Sequence, residues 1–158
     1  LPCVRLSLGN SLFHQDLKDF HPNSNYDLIV SNPPYFKKSL EPSSSERSKA
    51  RHQNDLKLED ILKFSKQHLS KDGSLNIIIP FDQKIEAIEF AKKYGLNSVR
   101  ECDVYPKPNK VPHRILLEFS RIKNKQIINE SLVIEMAGRH NYSDDYKKLT
   151  REFYTIFE

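Results

Sequence analysis

Residues 26–35 read YDLIVSNPPY, in which a short apolar run stands directly before two prolines. The run at 28–30, Leu-Ile-Val, is typical of a strand that is covered on both faces of a sheet. Proline has a fixed φ and no N–H group, so Pro33 and Pro34 end the strand. We therefore expect Asn32 at the carboxyl end of a buried strand, which is the edge where open α/β sheets bind ligands.

The loop after this strand carries two hydrogen-bond acceptors and an aromatic ring. The side-chain oxygen of Asn32 and the carbonyl of Pro33 both accept hydrogen bonds, and the prolines restrict their positions. Two acceptors that face one –NH2 group bind its two hydrogens and draw its lone pair out of conjugation. Tyr35 offers a face on which a flipped-out base can stack. Asn32, Pro33, Pro34 and Tyr35 are thus candidates for catalysis at a planar amine.

The run Asn32-Pro33-Pro34-Tyr35 after an apolar strand resembles the signature of amino-group methyltransferases that use S-adenosylmethionine. These enzymes act on adenine N6, on a glutamine amide nitrogen or on guanine N2. Because a sulfonium methyl donor is already charged, positioning does most of the work and no strong base is needed. The resemblance implies S-adenosylmethionine as cofactor and favours this interpretation over a simple proline turn.

The composition of the chain limits the class of protein to which it can belong. The chain has 158 residues, of which 37% are hydrophobic and 29% charged, as expected of a single globular domain. Its apolar runs are too short to span a membrane, and residues 1–5 lack the form of a signal peptide. Cys3 and Cys102 suggest no disulfide framework, so we expect a reducing cytoplasm. The net charge of +4 permits a nucleic-acid partner without requiring one.

Strands and helices alternate along the first two thirds of the chain, which predicts right-handed crossovers and a mostly parallel, Rossmann-like sheet. Helical periodicity after Asp82 places Ile85, Ile88, Ala91 and Tyr94 on one buried face. The expected elements are a strand at 4–8, the strand before Asn32, a helix from Asp55 to Asp72-Gly73, a strand at 74–80 and a helix from Asp82 to Gly95.

The last third of the chain has a different pattern. Segments 98–105 and 114–120 are strand-like and predict an antiparallel hairpin at the sheet edge, and residues 132–136 could add a strand. Ser143 is expected to cap a last helix. Helical spacing favours core positions for the apolar face of that helix, which consists of Tyr146, Leu149, Phe153 and Ile156 or Phe157.

A polar segment at 37–54 separates the motif from the next helix and is expected to form a mobile loop. Two interpretations stay open. The segment is either a disordered surface excursion or a substrate lid whose basic residues meet phosphates. Those basic residues are Arg47, Lys49, Arg51 and His52.

Four stretches together resemble the family of bacterial tRNA1(Val) (adenine-37-N6)-methyltransferases: residues 31–35, 50–52, 112–119 and 141–154. The resemblance covers nearly the whole chain and implies methylation of the adenine next to the tRNA anticodon. It also implies a class I methyltransferase fold. The substrate-binding residues that it suggests are Tyr35, Arg51, His52 and Arg114.

The same resemblance implies that the chain is a partial domain. The chain has only four glycines and no glycine-rich turn, so residues 1–158 resemble the carboxy-terminal part of such an enzyme, without its first strands. Asn10 and Asn32 are the cofactor-binding candidates, and Asn10 stands where the family usually has aspartate facing the cofactor's adenine. We expect the chain alone to bind S-adenosylmethionine poorly or not at all.

Three functional alternatives follow. The first is methylation of adenine in tRNA, and the second keeps the reaction but transfers to a protein glutamine or to guanine in ribosomal RNA. The third is a catalytically inactive remnant that binds RNA or a partner chain, which an exposed apolar sheet edge would support. The histidines and cysteines show no metal-ligand spacing, so no metal site is expected. The sequence does not indicate an oligomeric state.

Overall fold

A computed structural model of the chain describes residues 11–33, 58–123 and 126–154. The expected strand at 4–8 and the expected loop at 37–54 lie outside these residues. So do five of the predicted site residues, which are Asn10, Pro34, Tyr35, Arg51 and His52.

Five strands of the described residues form one sheet, with three α-helices beside it. In chain order the elements are β1 (Tyr26–Ser31), α1 (Leu58–His68), β2 (Leu69–Pro80), a 3-10 turn (Phe81–Gln83), α2 (Lys84–Lys93), β3 (Asn97–Tyr105), β4 (Arg114–Ser120), β5 (Ile128–Val133) and α3 (Asp144–Thr150).

The sheet has the strand order β1-β2-β4-β3-β5. β1 runs parallel to β2 and β3 runs parallel to β5, while β4 is antiparallel to both of its neighbours. All strands except β4 therefore point the same way. The predicted hairpin is present as β3 and β4, but its position at the sheet edge was wrong, because β5 pairs with the outer side of β3. The strand expected at 132–136 begins earlier, at Ile128, and ends at Val133. This mixed, mostly parallel sheet agrees with the Rossmann-like arrangement that the sequence predicts.

The hydrophobic core lies between one face of the sheet and helices α1 and α2. Alternate residues of β2 and β4 point into it, because successive side chains of a strand project to opposite faces. The fully buried members include Leu75, Ile79, Ile115, Leu117 and Phe119. Ile61 and Leu62 of α1 and Ala87 and Ala91 of α2 cover them.

The first helix ends earlier than predicted. α1 stops at His68, and the chain continues as β2 through Asp72 and Gly73, where the sequence pattern predicted the end of the helix. The reason is strand pairing, since Leu69 already stands opposite Tyr26 of β1. At Gly73 the two strands approach so closely that a Cβ would lie 2.7 Å from the carbonyl oxygen of Tyr26.

The buried face of α2 also differs from the prediction. Ile85 is 72% exposed, whereas Ala87 and Ala91 are fully buried. Successive helical residues are about 100° apart, so Ile85 lies about 200° from Ala87 and points away from the sheet. The prediction of Ile88 and Tyr94 was correct, because both pack against the core.

Strand β1 is covered on one face only, which corrects the prediction of a strand buried on both faces. Ile29 packs against the core, but Leu28 and Val30 are 57% and 71% exposed. α1 and α2 cover the opposite face, and the described residues place no helix over Leu28 and Val30.

The last helix begins as predicted, but its apolar side is not core. Ser143 caps α3, because its hydroxyl accepts a hydrogen bond from the backbone N–H of Tyr146 at 3.1 Å. Leu149 and Phe153 are 60% and 80% exposed, and α3 ends at Thr150. Ile156 and Phe157 lie outside the described residues.

Helices of the described residues are all too short or too polar to cross a membrane.

Candidate functional site

Asn32 and Pro33 lie where the sequence predicts, at the carboxyl end of β1. The strand ends at Ser31, which stands opposite Ile77 of β2. Pro33 is buried and Asn32 is exposed. The buried proline fixes the backbone that presents the asparagine, so this edge of the sheet carries an anchored polar side chain.

Arg114 lies at the same edge. It is the first residue of β4 and stands opposite Pro80, the last residue of β2. Only β2 separates β1 from β4, which puts their backbones roughly 10 Å apart at the usual spacing of neighbouring strands. The structure therefore brings Asn32 and Arg114 to the same end of the sheet.

Backbone hydrogen bonds hold the ends of β2, β3 and β4 together next to this edge. The N–H of Phe81 donates to the carbonyl of His113 at 3.2 Å, and the N–H of His113 donates to the carbonyl of Val104 at 2.9 Å. These bonds fix the start of β4, and with it Arg114, against both neighbouring strands.

A partly buried ion cluster connects the start of α2 to β3. The ammonium of Lys84 lies 2.9 Å from a carboxylate oxygen of Glu101 and 3.4 Å from one of Asp103. Ser98 donates a further hydrogen bond to Glu101 at 2.9 Å. Burial alone would lower the pKa of Lys84, but the hydrogen bond and charge of Glu101, together with Asp103, raise it. The cluster was not predicted from the sequence, because it joins Lys84 of α2 to residues of β3 that are 14 or more positions away.

A cavity of about 680 Å³ extends from Asn32 over the sheet face that α1 and α2 leave uncovered. Its lining is mainly apolar and includes Val30, Ile78, Leu116, Leu132 and Leu149.

Polar groups at one side of the cavity are paired with one another. Arg100 binds both carboxylate oxygens of Glu130, at 2.7 and 2.9 Å, and this hydrogen bonding lowers the pKa of Glu130. Burial, and secondarily the charge of Glu130, raises the pKa of the nearby Cys102 thiol. A thiol with a raised pKa is a weaker nucleophile at neutral pH, and the ion pair between Arg100 and Glu130 already uses both of its charges.

The described residues do not complete a cofactor site. Their glycines are Gly73 within β2, Gly95 before β3 and Gly138 after β5, and none forms a glycine-rich turn between a strand and a helix. Such a turn is what places phosphates or a nucleoside in doubly wound folds. Of the two predicted cofactor-binding residues, Asn32 is the one that lies in the described part of the chain. No group of three His, Cys, Asp or Glu residues within the described ranges could hold a metal ion.

Sequence comparison shows close relatives with a common name. A protein from Bacteroides thetaiotaomicron named tRNA1(Val) (adenine(37)-N6)-methyltransferase is 41% identical over 140 residues, which are 89% of this chain and 58% of that protein. A protein of the same name from Bacteroides fragilis is 42% identical over 89% of this chain and 60% of its own length. The chain thus spans about three fifths of the length of these curated relatives. No protein-family model matches the chain.

Structural comparison supports the fold. The crystal structure of a predicted O-methyltransferase from Agrobacterium tumefaciens is similar, with a TM-score of 0.59 and 17% sequence identity. The match covers 82% of this chain and 53% of that one. At this identity the likeness shows a Rossmann-like fold and nothing about activity or substrate.

Proposed function

We propose that this chain, a homologue of the tRNA1(Val) (adenine(37)-N6)-methyltransferases along about nine tenths of its length, belongs to an enzyme that methylates adenine N6 in tRNA. The observation that carries the proposal is the position of Asn32 and Pro33 at the carboxyl end of β1. Two acceptors held at a ligand-binding edge suit a planar amine. The name that these relatives share supports adenine 37 of tRNA1(Val) as the target.

In the proposed reaction the chain orients the amine. The Asn32 side-chain oxygen and the Pro33 carbonyl accept the two amino hydrogens, which directs the nitrogen lone pair out of the plane of the base. Buried Pro33 fixes this geometry before the substrate arrives. Orientation of this kind accounts for much of an enzyme's rate gain when no strong base is required. The amino proton leaves to solvent after transfer.

We propose S-adenosylmethionine as the methyl donor, which carries the methyl group on a positively charged sulfur. The described residues supply only one side of its site, so the rest of the site would come from the region that the longer relatives have in addition. Pro34 and Tyr35 complete the proposed catalytic loop, Asn10 is the second cofactor contact, and Arg51, His52 and Arg114 are the proposed substrate contacts. A tRNA substrate would place the reaction in the cytoplasm.

Methyl-transfer assays with separate substrates test which molecule the enzyme methylates. The complete product of the gene that encodes this chain is incubated with radiolabelled S-adenosylmethionine and with tRNA, ribosomal RNA or peptide-release factor in turn. We expect label in tRNA and, after digestion to nucleosides, in N6-methyladenosine. Label in a protein glutamine or in guanine would keep the reaction and overturn the substrate.

The exposed apolar side of β1 also favours a second candidate, a chain that binds a partner without catalysis. Leu28 and Val30 present the kind of apolar surface that proteins use for association. The same transfer assays distinguish the catalytic function from the binding function. Absence of transfer to all three substrates, together with retained RNA or protein binding, would favour the binding function.

A further inference from the structure

The loop from Pro106 to His113, which joins β3 to β4, is held in one shape. It contains three prolines, at 106, 108 and 112, and each fixes a φ angle. Inside the loop the N–H of Lys110 donates to the carbonyl of Lys107 at 3.2 Å. At its end the N–H of His113 donates to Val104 at 2.9 Å. A loop constrained in this way loses little entropy when it binds a ligand.

A neighbouring segment holds the start of the loop. The N–H groups of Ile134 and Glu135 donate to the carbonyls of Tyr105 and Pro106 at 2.9 and 3.0 Å. The ammonium of Lys107 lies 3.9 Å from a carboxylate oxygen of Glu135. These contacts anchor the base of the loop and neutralise its first cation.

The tip of the loop carries a cation beside an apolar side chain. Lys110 is exposed, and among the described residues it makes no ion pair. Val111 is 75% exposed, between Lys110 and Pro112. The valine is not a member of the hydrophobic core. Glu135 pairs with Lys107, and Asp103 pairs with Lys84.

The loop lies at the same edge of the sheet as Asn32. It leads directly into Arg114, which stands opposite Pro80 at the carboxyl end of β2. Its two ends therefore lie two and three strand spacings from β1, roughly 10 to 15 Å away along the sheet.

We infer that the tip of the β3–β4 loop is a contact for single-stranded RNA next to the reacting base, with Lys110 on a phosphate and Val111 against a neighbouring base or ribose. This inference rests on the proposed function, because it takes the Asn32 edge as the reaction site. A phosphate attracts an unpaired ammonium, and an apolar side chain covers the face of an unstacked base. A rigid loop that offers both groups suits a looped-out RNA strand.

Binding of a fluorescently labelled anticodon stem-loop tests the inference without any need for methyl transfer. The complete gene product is compared with a double variant, Lys110→Ala with Val111→Ala, by fluorescence anisotropy over a range of salt concentrations. A matched control carries Ile122→Ala with Lys123→Ala, again one β-branched apolar residue and one lysine, both exposed at the opposite end of the strands. Circular dichroism melts check that both variants fold.

We expect the loop variant to raise Kd about tenfold and to reduce the slope of log K against log salt by about 0.7, the value for one phosphate on a single strand. The control should bind like the wild type. Unchanged binding by the loop variant, with methylation of tRNA intact, would overturn the inference and leave the proposed function standing. Weakened RNA binding by the loop variant in an enzyme that methylates only protein would overturn the proposed function and retain the RNA contact. Equal weakening in both variants would show nonspecific charge attraction and would also overturn the inference.

Discussion

Asn32 is an exposed polar side chain that follows a paired strand and precedes a buried proline. The backbone on both sides is fixed, so the side chain can be held in place before a substrate binds. Its presence at this edge could be predicted from residues 26–35 alone, because a strand followed by two prolines ends at a definite position.

Replacement of Asn32 by Ala in the complete gene product should lower kcat about 100-fold, because one preorganised acceptor is lost. KM for tRNA should change little, since the phosphate contacts remain. Steady-state methylation kinetics measure both constants. The variant Asn129→Ala, at an exposed position on β5, is the control. Wild-type turnover by Asn32→Ala would show that the asparagine does not orient the amine.

The role of Gly73 was not predicted from the sequence. The pattern indicated a helix end at Asp72-Gly73, but the glycine lies within β2, where the carbonyl of Tyr26 leaves no space for a Cβ. The close approach of two strands depends on pairing between residues 43 or more positions apart, which local periodicity does not report.

The variant Gly73→Ala should destabilise the fold by about 1–3 kcal/mol, because the added Cβ must displace the backbone of β1. Gly138→Ala is the matched control, since nothing lies within 4 Å of a Cβ there. Urea denaturation measures the free energy of unfolding of both variants. Equal stability of the two would contradict the close approach of β1 and β2.

At the level of elements, the ion cluster of Lys84, Glu101 and Asp103 connects the start of α2 to β3. The pKa of Lys84 is raised above its ordinary 10.5 in the folded state. A raised pKa means that folding favours the protonated amine. Its contribution to stability is complete below about pH 10.5 and is lost as the pH rises through the folded pKa.

The variant Lys84→Met should lower the free energy of unfolding at neutral pH by about 3 kcal/mol, because the nearly buried Glu101 loses its cation. It should also flatten the loss of stability that the wild type shows in the alkaline range. Thermal melts from neutral to alkaline pH measure both effects. Lys147→Met, which removes an exposed ion pair with Asp144, should cost little. If Lys84→Met left the dependence of stability on alkaline pH unchanged, the raised pKa of Lys84 would not be its cause.

The elements themselves were largely predictable. Apolar runs that end in proline located β1 and β2, and two strand-like segments located the hairpin of β3 and β4. The predicted face of α2 was wrong at Ile85, because Ile85 lies about 200° around the helix from the buried Ala87. The position of α3 was correct at Ser143, but helical spacing alone did not reveal that Leu149 and Phe153 are exposed.

For the whole molecule, the main feature is a sheet that α1 and α2 cover on one face, while the other face is open at β1 and carries α3 beside β5. An apolar run such as 28–30 indicates a strand, but it does not indicate which segment covers each side of it. The chain spans about three fifths of its relatives' length, and we propose that the additional region packs against Leu28, Val30 and the cavity beside Asn32.

The open face predicts that the chain binds the apolar dye ANS. The double variant Leu28→Ser with Val30→Ser should reduce the dye fluorescence severalfold, because it removes the exposed apolar side chains of β1. The control Ile122→Ser, at the opposite end of the strands, should leave most of the signal. Dye fluorescence that is the same in the double variant and the wild type would contradict this account of the face.

The most direct test of the central claim is to locate the methyl group on tRNA1(Val). The complete gene product is incubated with tRNA1(Val) and S-adenosylmethionine, and the ribonuclease fragments are sequenced by mass spectrometry. The account predicts one added methyl group, on N6 of the adenine at position 37 beside the anticodon. A methyl group on any other nucleotide would contradict it. So would the absence of methylation by a protein that is folded and binds the cofactor.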